Sequence, residues 1–435
     1  MHYFQRLKHS RFLKHNVVFF IGSVAVGVLN YAYYPVVGRL MEPAAFGELQ
    51  VLVSLFLQFT IFLNVLGMIT VNIMANYADA DKAHRMIFEI EKLAAYAALA
   101  LLLASIVAGE FLRQQLKFDS ATPFAALALA LLVSIPLTFR SAYARARERF
   151  GVASISQLIG SAVKIGMSAL LVVVGLGVTG AIGGIILAQL AAFFYAARYA
   201  ARVGFRRPPD THYGTLPDLR SVLPELRYTA IVFVGLFAVT LMMSMDVILV
   251  KYFFDAHTAG LYAGIATVAR IIFFVAAPIA QVLMPLVKTS RPDRQNNLLL
   301  LKSVGLTAGV SGLVLLACVV APELVVRLLM GAAYVQYADI LPRLALVVFI
   351  ISLVNLVVMY YLALRRTMVT LVGIIGIVVL LSFVMMWHDT LHAVVNSMLL
   401  GSLFTLLTTG IYVLGNLRRG ARDAKQNDFN RHSDI

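Results

Sequence analysis

Two cations interrupt stretches that are otherwise apolar. Lys164 lies ten residues into a run that opens at Ser154, and Arg270 lies ten residues into one that opens at Gly260. On helices rising about 1.5 Å per residue, both charges would sit about 15 Å deep. An ionisable residue at that depth is costly unless it meets water or a partner, which makes it a functional candidate by default. Fixed cations there suit an anionic ligand, and an arginine fork can take two phosphate oxygens together. The plainer use of each is to hold a backbone carbonyl or a helix end. Asp246 and Lys251 form a second candidate pair at the end of an apolar run. Their spacing of five is poorer for a helical ion pair than three or four. Asp246 suits coupling to a cation or proton, or gating with Arg39; the simpler reading is a helix-end ion pair. Arg140, Arg145, Arg147 and Arg149 crowd one short connection. They suit an entry point for an anion, although ordinary membrane topology also collects arginines there.

Other chemistry is missing. No carboxylates pair at midplane depth, no metal-ligand spacing occurs, and no phosphate loop is present. His2, His9 and His15 are spread along a basic tail, and Cys318 is the sole cysteine, so a disulfide within the chain is impossible. The sequence therefore predicts no catalytic residues, no metal and no cofactor. Binding and alternating exposure suffice for transport.

The elements that must position these residues are membrane spans. Of 435 residues, 61% are hydrophobic and 13% charged, against about half and about a quarter in soluble domains. A bilayer needs about 20 apolar residues per helix. Twelve stretches qualify: 17–37, 48–75, 93–109, 121–139, 154–174, 178–197, 228–250, 260–287, 303–320, 341–363, 367–387 and 391–414. With the N-terminus inside, 28 of the 36 Lys and Arg fall in inner connections, and six fall at outer ends or loops. The alternation persists along the chain, so both termini are expected in the cytoplasm. The net charge of +15 then reflects topology and contact with anionic lipid, with no nucleic-acid partner. The run from Val17 is too long for a signal-peptide core and lacks a small-residue cleavage site after it.

The expected organisation is a basic tail at 1–16, a six-helix lobe at 17–200, a Pro-bearing cytoplasmic linker at 201–227, a second six-helix lobe at 228–415 and a basic tail at 416–435. The halves echo each other. Arg39 is followed by Glu42, Phe46 and Gly47; Lys251 is followed by Asp255, Ala259 and Gly260. Parallel repeats of this kind occur in transporters, with the substrate site between the halves. Polar residues in the spans, such as Gln58, Asn64 and Asn355, suit sugar binding or interhelical hydrogen bonds. Pro136 and Pro278 should bend their helices.

Three segments carry a family resemblance: Gly38-Arg39-Leu40 through Phe46-Gly47; Asp246 through Lys251 with Ala259-Gly260-Leu261-Tyr262; and Leu328 through Tyr334 with Ala338. In order and position the chain, over about 16–415, resembles the polysaccharide biosynthesis and export proteins, the oligosaccharide-lipid flippases of the MOP superfamily, which also holds the MATE exporters and lipid II flippases. The resemblance implies an all-α MATE-like fold of twelve helices in two lobes around a cavity. It implies flipping of an undecaprenyl-pyrophosphate-linked oligosaccharide across the bacterial cytoplasmic membrane, beside a polysaccharide polymerase or export machinery. On that reading Lys164 and Arg270 bind the anionic headgroup, with Arg39 and Lys251 at the outer mouth. A cation-coupled MATE-like exporter of small molecules is the alternative. Such a pump should place carboxylates deep in its cavity, where this sequence has cations.

Overall fold

The structure, a computed structural model, describes residues 22, 25–77, 79–205, 219–287 and 293–433. The tail at 1–16 and residues 206–218 of the linker lie outside these residues, as does the start of the first span. Regular structure among the described residues is entirely helical. A first helix, α1, covers 25–40. It is followed by α2 (Pro43–Asn76), α3 (Ala80–Gln115), α4 (Thr122–Ala146), α5 (Phe150–Leu171), α6 (Gly177–Arg202) and α7 (Leu219–Phe253). Then come α8 (Ala256–Ala269), α9 (Ile271–Leu286), α10 (Asp293–Val320), α11 (Pro322–Leu329), α12 (Leu341–Ala363), α13 (Val369–Met386) and α14 (Leu391–Ser433).

Ten described helical runs are long and apolar enough to cross a membrane, so the chain is a multi-pass membrane protein. The expectation of twelve differs at two places. Only the later part of the first span is described. The run Gly151–Arg202 is counted once, at 52 residues, more than twice what a bilayer needs. Within it a π-type turn at Val172–Leu176 leads through Gly175 (φ 96°) and Gly177 (φ 50°). Both sit in the left-handed region that glycine tolerates without a Cβ clash. There the chain turns back, and α5 and α6 pack along each other.

Helix starts also differ from the expected spans. α3 begins thirteen residues before 93 because Asp79 caps it, accepting the amide hydrogens of Asp81 and Lys82. The expected span 260–287 is interrupted: α8 ends at Ala269, α9 begins at Ile271, and Arg270 occupies the turn between.

The chain divides into two compact units. The first holds Met1–Phe233, Ser244–Val268 and Glu323–Ala338. Its core joins Leu63, Leu66, Ile69 and Ile73 of α2 to Met86, Ile87 and Ile90 of α3 and to Ile135 and Phe139 of α4. These positions recur every three or four residues, so each helix offers one stripe. Later α3 turns outward, with Leu103, Ile106 and Val107 exposed as a lipid-facing helix requires. The second unit holds Val234–Met243, Ala269–Pro322 and Asp339–Ile435. Its centre is α12, which is apolar on every face and packs against α9, α10 and α14. α13 and α14 approach closely because small residues line their contact: a Cβ on Gly376 would lie 2.5 Å from the Thr405 hydroxyl.

Candidate functional site

The three segments that carry the family resemblance lie up to 296 positions apart, yet they meet at one end of the first unit. The Arg39 guanidinium donates to the Leu328 carbonyl. Tyr334 is buried, with its hydroxyl donating to the Gly38 carbonyl at 3.3 Å. Its ring stands edge-on to Phe46 at 6.1 Å and presses on Gly264, where a Cβ would collide with it. Gly47 and Gly260, which hold corresponding places in the two echoing segments, are in contact. A Cβ on Gly47 would lie 2.8 Å from the Gly260 Cα, and one on Gly260 would strike the Pro43 carbonyl. The starts of α2 and α8 thus touch backbone to backbone, which only glycine permits.

Charge is buried in the same knot. Lys251 is fully buried, with Nζ 3.8 Å from the Glu48 carboxylate and 5.4 Å from the Phe118 ring centroid. Glu48 is buried and also accepts the amide hydrogen of Asp119 at 2.9 Å. Asp246, buried too, accepts the Tyr262 hydroxyl at 3.0 Å. Lys117 Nζ donates to the Phe254 carbonyl at 2.8 Å. Asp255, between α7 and α8, accepts the amide hydrogens of His257 and Thr258, each at 3.0 Å. Hydrogen bonds from Thr258 hold its carboxyl below the usual aspartate range.

Lys164 is placed differently. It lies in α5, half-buried, and donates to the Asn30 side-chain oxygen at 2.6 Å. Its ammonium stands 4.6 Å from the Tyr33 ring centroid. Among the described residues no carboxylate pairs with it. A neutral amide and an aromatic face steady the cation and leave its charge uncompensated.

The crowded arginines divide as well. Arg140 donates to both Glu91 oxygens through Nη1 and stacks 4.8 Å over Phe205. Arg147, at the solvent edge, donates to the Tyr143 hydroxyl at 3.2 Å and lies over that ring. Arg149 is exposed. Arg145 is half-buried and reaches beside Gly67 of α2, and it has no carboxylate partner among the described residues. In the second unit Arg270, at the break between α8 and α9, donates through Nε to the Met243 carbonyl at 3.0 Å.

Reading the sequence alone missed three partners. Glu48 left a signal, since it is the sole charge among the 34 residues of α2. Asn30 left none, being one polar residue among many. Glu91 meets Arg140 across 49 positions, a pairing that needs the α3–α4 contact. Among the described residues no cluster of His, Cys, Asp or Glu can hold a metal.

Comparison with solved structures shows the fold. An inward-facing multidrug-resistance MATE family transporter of the MOP superfamily matches with a TM-score of 0.70 at 12% identity, over 93% of this chain and 99% of that one. Lipid II flippase MurJ, inward closed, matches with 0.72 at 12% identity, over 91% and 87%. The MATE multidrug transporter DinF-BH in complex with R6G matches with 0.69 at 14% identity, over 92% and 93%. These relatives are transporters and a flippase, not enzymes. No curated protein sequence matches. A model of one family, described as polysaccharide biosynthesis protein, matches residues 12–290. With more than half its length matched by that model, the chain belongs to the polysaccharide biosynthesis protein family, and it shares its fold with MATE transporters and a lipid flippase.

Proposed function

We propose that this chain flips an undecaprenyl-pyrophosphate-linked oligosaccharide across the bacterial cytoplasmic membrane by alternating access. The observation that carries the reading is Lys164, an intramembrane cation held by Asn30 and Tyr33 with no carboxylate beside it among the described residues. A polar span residue is retained at a cost, and an uncompensated ammonium repays that cost when an anion binds. Pyrophosphate supplies such an anion. Arg145, also without a carboxylate among the described residues, is the entry residue among the four crowded arginines, while Arg140 is held by Glu91. Arg270, which donates to the Met243 carbonyl, is the cation assigned to the headgroup from the second unit.

In this reading twelve helices form two six-helix lobes, the arginine-rich ends face the cytoplasm, and both termini lie inside. The knot around Lys251 and Tyr334 then belongs to the outer end, where its close contacts keep the pathway shut to the outside. Arg39 and Lys251 hold that end together, and Asp246 serves as part of the gate. A polymerase or export machinery takes up the flipped product.

The test is leaflet-resolved quantification of the lipid-linked saccharide in cells with and without the gene. Accumulation facing the cytoplasm without it, cleared when it is restored, supports the flippase reading. Unchanged sidedness rejects the reading for that lipid and turns attention to efflux of small molecules, the activity of the MATE relatives.

A further inference from the structure

A second feature of the first unit takes no part in the pathway above. α4 packs against α3 on one side and α6 on the other. A groove of about 320 Å³ lies over α4. Leu132, Val133 and Pro136 form its floor, Ala95 one wall, and Leu190 and Phe193 the other. Pro136 offers no amide hydrogen to the Leu132 carbonyl and clashes with it, which opens the helix where the groove lies. One turn from these residues, Leu99 on α3, Leu129 on α4 and Leu187 and Phe194 on α6 are all exposed. The groove therefore opens onto apolar surface on all three helices. In a membrane-spanning chain, hydrocarbon covers such a surface.

The two ends of the groove differ. At the arginine-rich end stands the Glu91 carboxylate, bound by Arg140 one helical turn beyond Pro136. Arg140 engages Glu91 through Nη1 alone; among the described residues Nε and Nη2 have no partner. A guanidinium fixed by a carboxylate and a ring, with a free edge, is preorganised for a phosphate oxygen. Arg147 and Arg149 lie exposed farther along the same end, so the local potential favours an anion.

We propose that this groove is a lipid site: one acyl chain of an anionic glycerophospholipid lies along Leu132, Val133, Leu190 and Phe193, and its phosphate meets the free edge of Arg140. The depth agrees. Leu132 is eight residues from Arg140, about 12 Å along the helix, so a chain descends from the headgroup level into one leaflet. The site is separate from Lys164 and Arg145 and does not depend on what the protein transports.

The test uses the full chain in phosphatidylcholine vesicles doped with a phosphatidylglycerol that carries a photoreactive diazirine on its acyl chain. A phosphatidylcholine with the same chain is the comparison probe, and labelled peptides are mapped by mass spectrometry. Label should concentrate at 129–136 and 187–194. It should be about fivefold stronger with the anionic probe: both lipids bring the phosphate, but the choline cation of phosphatidylcholine is repelled by Arg147 and Arg149 at the same end. Val133→Trp fills the groove and should remove that label while exposed α10 residues such as Leu313 stay labelled; Ala95→Phe is the second filling variant. Equal labelling by both probes, or label spread evenly over the exposed apolar faces, overturns the site. Displacement by undecaprenyl phosphate but not by unlabelled phosphatidylglycerol also overturns it, since the occupant would then be the cargo's tail. The probe comparison on the unmodified chain decides the matter even if a filling variant does not fold.

Discussion

Two lysines of the first unit show how differently one side chain is used within the same set of helices. Lys251 is sealed from solvent, 3.8 Å from Glu48 and beside the Phe118 ring. Lys164 is half-buried and meets Asn30 and Tyr33, with no carboxylate at hand among the described residues. A buried pair must stay whole, because removing one partner strands the other's charge. A cation steadied by neutral groups is poised for a ligand that brings the counter-charge. Position within an apolar run does not separate the two cases. The partner does.

The comparison breaks most visibly at Lys251. Lys251→Ala should cost about 3–5 kcal/mol by leaving Glu48 buried and unpaired, read as loss of folded protein in detergent thermal unfolding. Glu48→Gln added to Lys251→Gln should recover much of that loss. If Lys251→Ala is as stable as the parent protein, the pair is not structural and the contrast fails.

Lys164→Ala should behave in the opposite way. Transport should fall about tenfold to a hundredfold as a charge-assisted contact is lost, while the unfolding midpoint stays near that of the parent. Lys164→Arg should retain part of the activity, and Arg270→Ala should lose activity like Lys164→Ala. Restoration of surface polymer in cells lacking the gene measures all three. Normal transport by both alanine variants would falsify the anion-binding role.

A sharper test of the knot lies at its glycines. Gly260→Val pushes a side chain into the Pro43 carbonyl and should destabilise by about 1–3 kcal/mol as α2 and α8 part. Gly309→Val, with nothing within 4 Å of the added Cβ, should change the unfolding midpoint much less. The smallest expected effect is at Asp255. Asp255→Ala removes the α8 cap for about 0.5–1 kcal/mol at neutral pH, discounted for the residue's exposure. Because Thr258 holds the carboxyl below its usual range, its stabilisation is present above the unfolded aspartate pKa. It is lost as pH falls through the folded value. The difference between Asp255→Ala and the parent should therefore shrink on acidification through that window.

Much of the fold was legible because the bilayer allows few answers. Spans declare themselves by length and apolarity, and α12 and α13 match the expected 341–363 and 367–387 within two residues. The glycine echo was legible for a related reason. A backbone contact demands Gly47 and Gly260 in both halves, so the requirement is written at both positions. Boundaries were less readable where local chemistry overrode apolarity. Asp79 caps α3 early, and Gly175 and Gly177 turn the chain without breaking the apolar run.

The candidate site divides along the same line. Sequence alone singled out Lys164, Arg270, Asp246, Lys251 and the crowded arginines, because a charge in an apolar run is visible without coordinates. Which of those charges is satisfied was decided only by tertiary structure. Glu48 meets Lys251 across 203 positions, Asn30 meets Lys164 across 134 and Glu91 meets Arg140 across 49. No local pattern encodes these meetings. They arise when helices distant in the chain pack side by side, and the free energy of each charge depends on what that packing brings within a few ångströms.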